Sequence, residues 1–251
     1  NKWIKLTENL KVLCIKDREY DSALLIETNK EKILNLNDCV IKTYDRAKEV
    51  FKITGSADIL LTQFSYAAWK GGKSNKKWRE EAAQEKLNTI KLQNEIFSPK
   101  YVIPFASFVF FSNKDNYYLN DCKNTTSRLI DYFSKTNLNI LIMKPGDILG
   151  GTKENIDIQR ANNFWMNLYK NLDNRNLNEF ETICFEELYQ NFELFRNRII
   201  KKNNFYLMKL VRFISPIKVF QPIIIHLNDL DINVKFDYIK NYFKITDQNA
   251  F

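Results

Sequence analysis

The stretch KILNLNDCVIKTYDRAKEVFKITGSADILLTQF, residues 32–64, decides the fold class of this chain. Its two ends, KILNL and ADILLTQF, are short apolar runs of the kind that form buried strands. Between them we predict a helix from Tyr44 to Ile53 that ends at Gly55, which can adopt the left-handed conformation of a helix C-terminus. Strand, helix and strand in this order predict a parallel crossover.

The segments on either side continue this alternation. Residues 11–37 predict a hairpin, VLCI and SALLIET, followed by the strand KILNL. Further on, we predict a helix capped by Ser74 and ending before Pro99, a strand at YVIPFASFVFF, a helix from Thr126 to Lys135 and a strand at LNILIMKPGD. Residues 11–150 therefore read as α/β layers.

The last hundred residues follow another pattern. Apolar residues at helical spacing predict packing helices at Asp157–Leu172 and Leu177–Ile199. From Ile217 onward the runs KVFQPIIIHL, INVKFDYI and YFKIT, with turn residues between them, predict an antiparallel meander.

Composition sets limits on partners and location. The chain has 251 residues and a formal net charge of +8, which favours anionic partners such as nucleotides, sugar phosphates, nucleic acid or an anionic membrane surface. Nucleic acid is the weakest of these, because the chain contains no recognisable nucleic-acid-binding motif. No apolar run approaches the ~20 residues of a membrane span and the first residues have no signal-peptide core, so we expect a cytoplasmic protein.

Histidine and cysteine usage excludes several site classes. His226 is the one histidine, so a Ser-His-Asp triad, a Cys-His pair and a histidine-rich metal site made by this chain alone are improbable. We expect His226 to be a hydrogen-bonded core or edge-strand residue. The four cysteines contain no CxxC pair, which argues against a zinc ribbon and a disulfide framework.

Polar residues follow several predicted strands, where open α/β folds place their ligands. Four segments stand out: NLNDC (35–39), LLTQFSYAAWKGG (60–72), PKYVIPFASFVFFSNKDNYYLND (99–121) and IMKPGDILGG (142–151). In order and spacing they resemble the second half of the metallo-β-lactamase fold, and within it the branch of CMP-N-acetylneuraminate hydroxylase and related proteins.

The resemblance implies an α/β fold of metallo-β-lactamase type, an αββα half-sandwich, with a C-terminal helical and antiparallel β extension. Residues 1–152 would be this region, incomplete at its N-terminus, and residues 153–251 the extension.

The resemblance also implies a metal site. In such folds an aspartate after the second hairpin strand binds or bridges the metal, and Asp38 occupies that place. The histidine motif HxHxDH of the family is absent: it lies upstream of Asn1 or has been lost. Related proteins carry a histidine where this chain has Asn113, and an amide is a poor transition-metal ligand. The alternative for Asp38 is a structural role in a turn. If the histidine motif exists upstream, zinc or iron is the expected cofactor.

Candidate ligand-binding residues lie in the same strand-end segments. The loop WKGGKSNKKWR brings Trp69, Lys70, Lys73 and Arg79 to the start of a predicted helix, where free amides and cations can hold phosphate; the alternative is a solvated charged loop. Gln63 and Ser65 could line the same cleft or satisfy buried polar groups. Ser107, in PFAS, and Asp147 are the other two candidate ligand-binding residues. Asp147 follows a Pro-Gly turn, so a structural role in that turn is the favoured alternative for it.

Two functions are consistent with these residues. The first is a metallo-β-lactamase-fold hydrolase or hydroxylase-like protein acting on a nucleotide-linked amino sugar, with an incomplete metal site in this chain. The resemblance implies that a Rieske-type domain, upstream or in a separate subunit, would deliver electrons to it. The second is a metal-free binding or scaffold protein of the same fold that holds an anionic ligand such as a nucleotide sugar.

Overall fold

The computed structural model describes residues 2–17, 21–37, 39, 41–150, 156–177, 182–227 and 229–248. The chain divides into two compact units, Asn1–Asn178 and Glu179–Phe251. Asp38, the predicted metal ligand, lies outside the described residues. The first unit contains a mixed β-sheet with helices, and the second contains an antiparallel β-sheet with helices. The α/β class predicted from the sequence is confirmed.

A six-stranded sheet forms the first unit. Its strands run in chain order across the sheet: β1 (Trp3–Thr7), β2 (Leu10–Lys16), β3 (Ser22–Thr28), β4 (Lys32–Asn35), β5 (Ile59–Thr62) and β6 (Tyr101–Pro104). Strands β1 to β4 are antiparallel, whereas β4, β5 and β6 are parallel. The predicted hairpin and parallel crossover are confirmed.

Two helices provide the crossovers. The helix α1 (Tyr44–Thr54) joins β4 to β5, begins after the Thr43 cap and ends at Gly55. The φ of Gly55 is positive, 66°, but its ψ of −161° lies outside the left-handed helical conformation expected of it. The helix α2 (Lys76–Phe97) joins β5 to β6. The predicted Ser74 cap is wrong, because α2 begins two residues later and Asn75 stands at its start.

The two faces of this sheet differ in burial. One face carries Leu25, Leu34, Leu60 and Val102 on neighbouring strands, all inaccessible or nearly so, and belongs to the same core as α1 and α2 residues such as Ala47 and Leu87. The other face carries a continuous row across all six strands. This row consists of Ile4, Val12, Ile26, Ile33, Ile59 and Tyr101. Most of the row is exposed or half-buried, so this apolar face is only partly covered.

Two strands predicted from the sequence, YVIPFASFVFF and LNILIMKPGD, are shorter or absent in the structure. Only Tyr101–Pro104 of YVIPFASFVFF is a strand, and a short 3₁₀ helix, Tyr117–Asn120, follows. After α3 (Thr126–Phe133), the run LNILIM makes only one parallel bridge, Ile140 to Val102. Its Leu138, Leu141 and Ile142 are nevertheless buried, so core packing and not sheet pairing explains its apolar character.

The first unit extends beyond the change of pattern at residue 152. The helix α4 (Ile158–Asp173) lies in this unit, where Ala161 is fully buried and Asn162 accepts hydrogen bonds from Thr126 and Ser127 of α3. The structure therefore divides the chain 26 residues later than the sequence pattern does, because α4 packs with α3.

The second unit contains two helices and a small sheet. The helices are α5 (Phe185–Lys202) and α6 (Phe205–Ile214), and the predicted helix Leu177–Ile199 corresponds to α5 with a later start at the Cys184 cap. The strands β7 (Ile223–Leu227), β8 (Ile232–Asp237) and β9 (Tyr242–Ile245) pair antiparallel in that order, as the predicted meander requires. Phe192 of α5 packs on Phe236 and Phe243 of this sheet.

Candidate functional site

A groove of about 730 Å³ lies on the partly covered face of the first sheet. Its floor is made by Ile33, Ile59, Leu61 and Ile103, which share one face of the parallel strands β4, β5 and β6. Side chains of successive strand residues point to opposite faces, so the floor exists because Leu34, Leu60 and Val102 take the helix-packed side. The groove is predominantly apolar, as small-molecule sites are.

Aromatic side chains form one wall of the groove. Phe108 and Trp165 are stacked, with ring centroids 3.7 Å apart and planes 18° from parallel. The Trp165 indole donates a 2.8 Å hydrogen bond to the carbonyl of Met143, which also lines the groove. Phe64 contacts Phe108 edge to face at 4.9 Å. These contacts hold the wall in place from behind, which is the preorganisation that a ligand site needs.

A charged cluster stands at the rim. Lys144 lines the groove, and its ammonium lies 3.1 Å from Asp147, whose side chain is completely buried. Arg160 of α4 lies 3.2 Å from the same carboxylate. Burial alone would raise the pKa of Asp147, but the backbone amide and ammonium of Lys144, with the charge of Arg160, outweigh it and lower that pKa. The charged residues in the groove lining are therefore Lys144, which is held by Asp147, and Glu31.

Ser65 and Ser107 occupy interior positions. The hydroxyl of Ser107 accepts a hydrogen bond from the amide of Phe64, and that of Ser65 accepts one from the amide of Asn124. Asn124 is itself buried and donates to the carbonyls of Phe64 and Ala83. Both serines therefore connect the ends of β5 and β6 to neighbouring segments, which is the alternative that their positions left open.

The loop at residues 69–79 is built around an inward arginine. Arg79 is buried and donates to Asp121 and to the carbonyls of Gly72 and Lys73, so it is not part of a cationic surface. Trp69 and Trp78 remain exposed and contact each other edge to face, 5.4 Å between centroids. Lys73 is exposed and Lys70 half-buried. An exposed aromatic pair beside lysines keeps the predicted ligand role of this loop open.

The predicted ligand residues do not meet in the groove. Gln63 accepts a hydrogen bond from Lys86 of α2, and Asp147 reaches the groove only through Lys144. None of the seven residues Gln63, Ser65, Trp69, Lys70, Lys73, Ser107 and Asp147 lines it. The sequence signal that could have located the groove is the second apolar side of β4 to β6, because a strand that is apolar on both faces needs two coverings.

The described residues do not fit a metal centre. Outside the undescribed positions, which include Asp38, no three His, Cys, Asp or Glu side chains lie together. A zinc ion in a protein takes three or four such donors. His226 lies on the edge strand β7, as predicted, with its Nδ1 3.0 Å from the Asn233 side-chain oxygen.

One functional candidate has no motif in the sequence. The ammonium of Lys123 lies between the rings of Phe110 and Tyr169, 4.6 and 4.2 Å from their centroids, and donates to the carbonyl of Val109, a groove residue. Burial lowers the pKa of Lys123 to about 8. This contact depends on α4 folding back over the loop after β6, which no local pattern indicates.

Comparisons with known proteins give limited similarity. No protein-family model matches the chain, and no curated protein matches it. Among solved structures, a mutant of CmlA beta-hydroxylase matches with a TM-score of 0.35 and 10% sequence identity. The match covers 55% of this chain and 30% of that protein. Within the described residues, no helix has the length and apolar character needed to cross a membrane.

Proposed function

We propose that the first unit is a binding domain for an anionic ligand with an apolar body. The observation that carries this proposal is the groove of about 730 Å³ with an aliphatic floor, an aromatic wall and a cationic rim at Lys144. Apolar lining supplies affinity through removal of the ligand surface from water, and Lys144 supplies orientation for a negatively charged group. A long-chain carboxylate or an aromatic acid has this chemistry.

The charge at the rim distinguishes an acid from a neutral ligand. Lys144 and Arg160 both contact Asp147, and Lys144 is the cation of the groove lining that an incoming carboxylate or phosphate would contact. Replacing Lys144 by methionine keeps Asp147 paired with Arg160 and removes that charge. The apolar floor and the Trp165 wall would stay unchanged.

Calorimetric titration with dodecanoate and with dodecanol tests the proposal. We expect both to bind, dodecanoate more tightly, and Lys144→Met to weaken dodecanoate by roughly tenfold while leaving dodecanol unchanged. Lys135→Met, at an exposed lysine, is the matched control. Ile103→Trp, which fills the groove from its floor, should abolish both. Absence of binding by the wild-type chain, or equal binding by Ile103→Trp, would refute the groove as a ligand site.

A metal-dependent function is the second candidate. The sequence resemblance to the metallo-β-lactamase fold, with Asp38 as ligand and an iron or zinc ion, would make residues 1–152 the carboxyl-terminal part of a hydrolase or of a hydroxylase served by a Rieske-type domain. Its substrate would be a nucleotide-linked amino sugar, held by Gln63, Ser65, Trp69, Lys70, Lys73, Ser107 and Asp147. The observation that favours it is the exposed Trp69 and Trp78 pair beside lysines, since aromatic faces stack on nucleobases.

Metal analysis separates the two candidates. The protein is expressed from its gene, with any residues encoded before Asn1 included, and is analysed for iron and zinc by elemental mass spectrometry. Stoichiometric metal that is lost in Asp38→Asn would support the enzyme. A metal-free protein that still binds dodecanoate would support the binding domain alone.

A further inference from the structure

The second unit presents an apolar stripe to solvent along α6, residues FYLMKLVRFI. Tyr206, Leu210 and Phe213 recur every three or four residues, the spacing of one helix face. Tyr206 is 83% exposed and Phe213 90% exposed, and Leu207 and Ile214 beside them are also exposed. Within this helix, all of which is described, no side chain is fully buried. A contiguous apolar surface of this kind marks an interaction site.

The opposite side of α6 is fixed to the sheet of its own unit. Arg212 makes two 2.8 Å hydrogen bonds to the two carboxylate oxygens of Asp237 on β8. Asp237 also accepts from the backbone amides of Ile239 and Lys240. Because this buried pair orients the helix, the apolar stripe faces outward as a consequence of the fold and not through fraying of the helix.

Positive charge lies beside the stripe. Between Glu193 and Asp229 the sequence contains seven Lys or Arg residues and no Asp or Glu. A groove of about 820 Å³ beside Phe213 is lined by Arg196, Lys209, Arg212 and Lys240. Arg212 is neutralised by Asp237, whereas the described lining contains no carboxylate for the other three. The stripe therefore borders a cationic groove.

We propose that this face of the second unit binds the surface of an anionic lipid bilayer. The stripe would lie in the interfacial region, and the groove at Arg196, Lys209 and Lys240 would hold lipid phosphates. A bilayer matches both features at once, because it offers an apolar interior directly beneath a layer of negative charge. Nucleic acid could contact the cations but would leave the apolar stripe exposed to water. A second copy of this chain is disfavoured because the chain is basic and residues 194–228 contain no Asp or Glu, so two such faces would repel each other, whereas an anionic lipid surface attracts this face.

Vesicle co-sedimentation of the 251-residue chain tests this inference. We expect binding to vesicles of phosphatidylcholine with about 20% phosphatidylserine, much weaker binding to phosphatidylcholine alone, and loss of binding as salt is raised. Phe213→Glu should weaken partitioning by roughly tenfold or more, and Lys209→Glu by roughly fivefold. Ile245→Glu, at a half-exposed apolar residue on β9 of the same unit, should have little effect. Circular dichroism establishes that each variant is folded.

Several results would overturn the proposal. It fails if the wild-type chain sediments with neither vesicle, or if Phe213→Glu binds as well as Ile245→Glu. It also fails if the chain is a dimer that Phe213→Glu converts to a monomer while vesicles are ignored, because the stripe would then be an interface between copies. Binding that inorganic phosphate abolishes at an ionic strength where chloride does not would identify the groove as a free-phosphate site instead.

Discussion

Arg79 and Asp121 are joined by two parallel hydrogen bonds, 2.8 Å from Nε to Oδ1 and 2.7 Å from Nη2 to Oδ2. The guanidinium is almost completely buried, and two further N–H groups donate to the carbonyls of Gly72 and Lys73. The pair therefore ties the loop between β5 and α2 to the segment after the 3₁₀ helix. The exposed Trp69 and Trp78 pair is presented on this fixed base.

Replacing Arg79 by lysine should destabilise the first unit by roughly 3 kcal/mol. Lysine keeps the charge but cannot make the forked contact to Asp121 and two carbonyl contacts at the same time. Urea denaturation of both proteins measures the difference, and Lys77→Met, at an exposed lysine of the same helix turn, is the control. A loss no greater than that of the control would show that the buried pair contributes little.

Ser107→Ala should destabilise the protein by about 1 to 2 kcal/mol without changing dodecanoate affinity. The hydroxyl accepts the hydrogen bond of the buried Phe64 amide, and alanine leaves that amide without a partner. Urea denaturation and calorimetric titration of the same sample test the two halves of this expectation. Weaker ligand binding at unchanged stability would instead support the ligand-binding role predicted for Ser107 from the sequence.

The sequence predicted the architecture of the first unit better than its site. Periodicity and Gly55 located α1 and the strands around it, because those signals are local and one buried face dominates them. The run LNILIM was predicted as a strand because burial alone produces the same apolar pattern. The edge strand β1, WIKLT, was missed since all five residues are exposed.

The site depends on contacts between distant segments, which a single sequence does not encode in any short pattern. Phe108 follows β6 and Trp165 lies on α4, and their stacking forms the groove wall. Arg79 stands among four nearby lysines, so its inward direction could be known only from Asp121. The helix α6 was not predicted, because most of its large apolar residues are exposed and do not follow the spacing of a face packed against a core.

Thiol modification should divide the four cysteines into two pairs. Cys14 and Cys184 are exposed, whereas Cys39 and Cys122 are buried. Burial, assisted by a hydrogen bond with Asp121, raises the pKa of Cys122 to about 11, which keeps it a thiol at neutral pH. We expect two thiols to react quickly with Ellman's reagent and the other two only in denaturant. Cys122→Ala should lower the slow class and leave the fast class unchanged, and a third fast thiol would contradict the burial.

Lys123 should make the stability of the first unit depend on pH in the alkaline range. Burial between Phe110 and Tyr169 lowers its pKa from 10.5 to about 8 in the folded protein. Between these two values the unfolded chain holds a proton that the folded chain has released. The free energy of unfolding must therefore rise with pH across this window.

The variant Lys123→Met isolates this contribution, because Cys122 and Tyr66 titrate in both proteins and cancel in the difference. Urea denaturation at pH values from about 7 to 10 should show the wild-type protein gaining stability relative to the variant as pH rises. The gain begins near the folded pKa of about 8, where the ammonium starts to lose its proton while still buried. A difference that is constant across the range would mean that the lysine is as well solvated in the folded state as in the unfolded chain, and the aromatic enclosure would then have no electrostatic consequence.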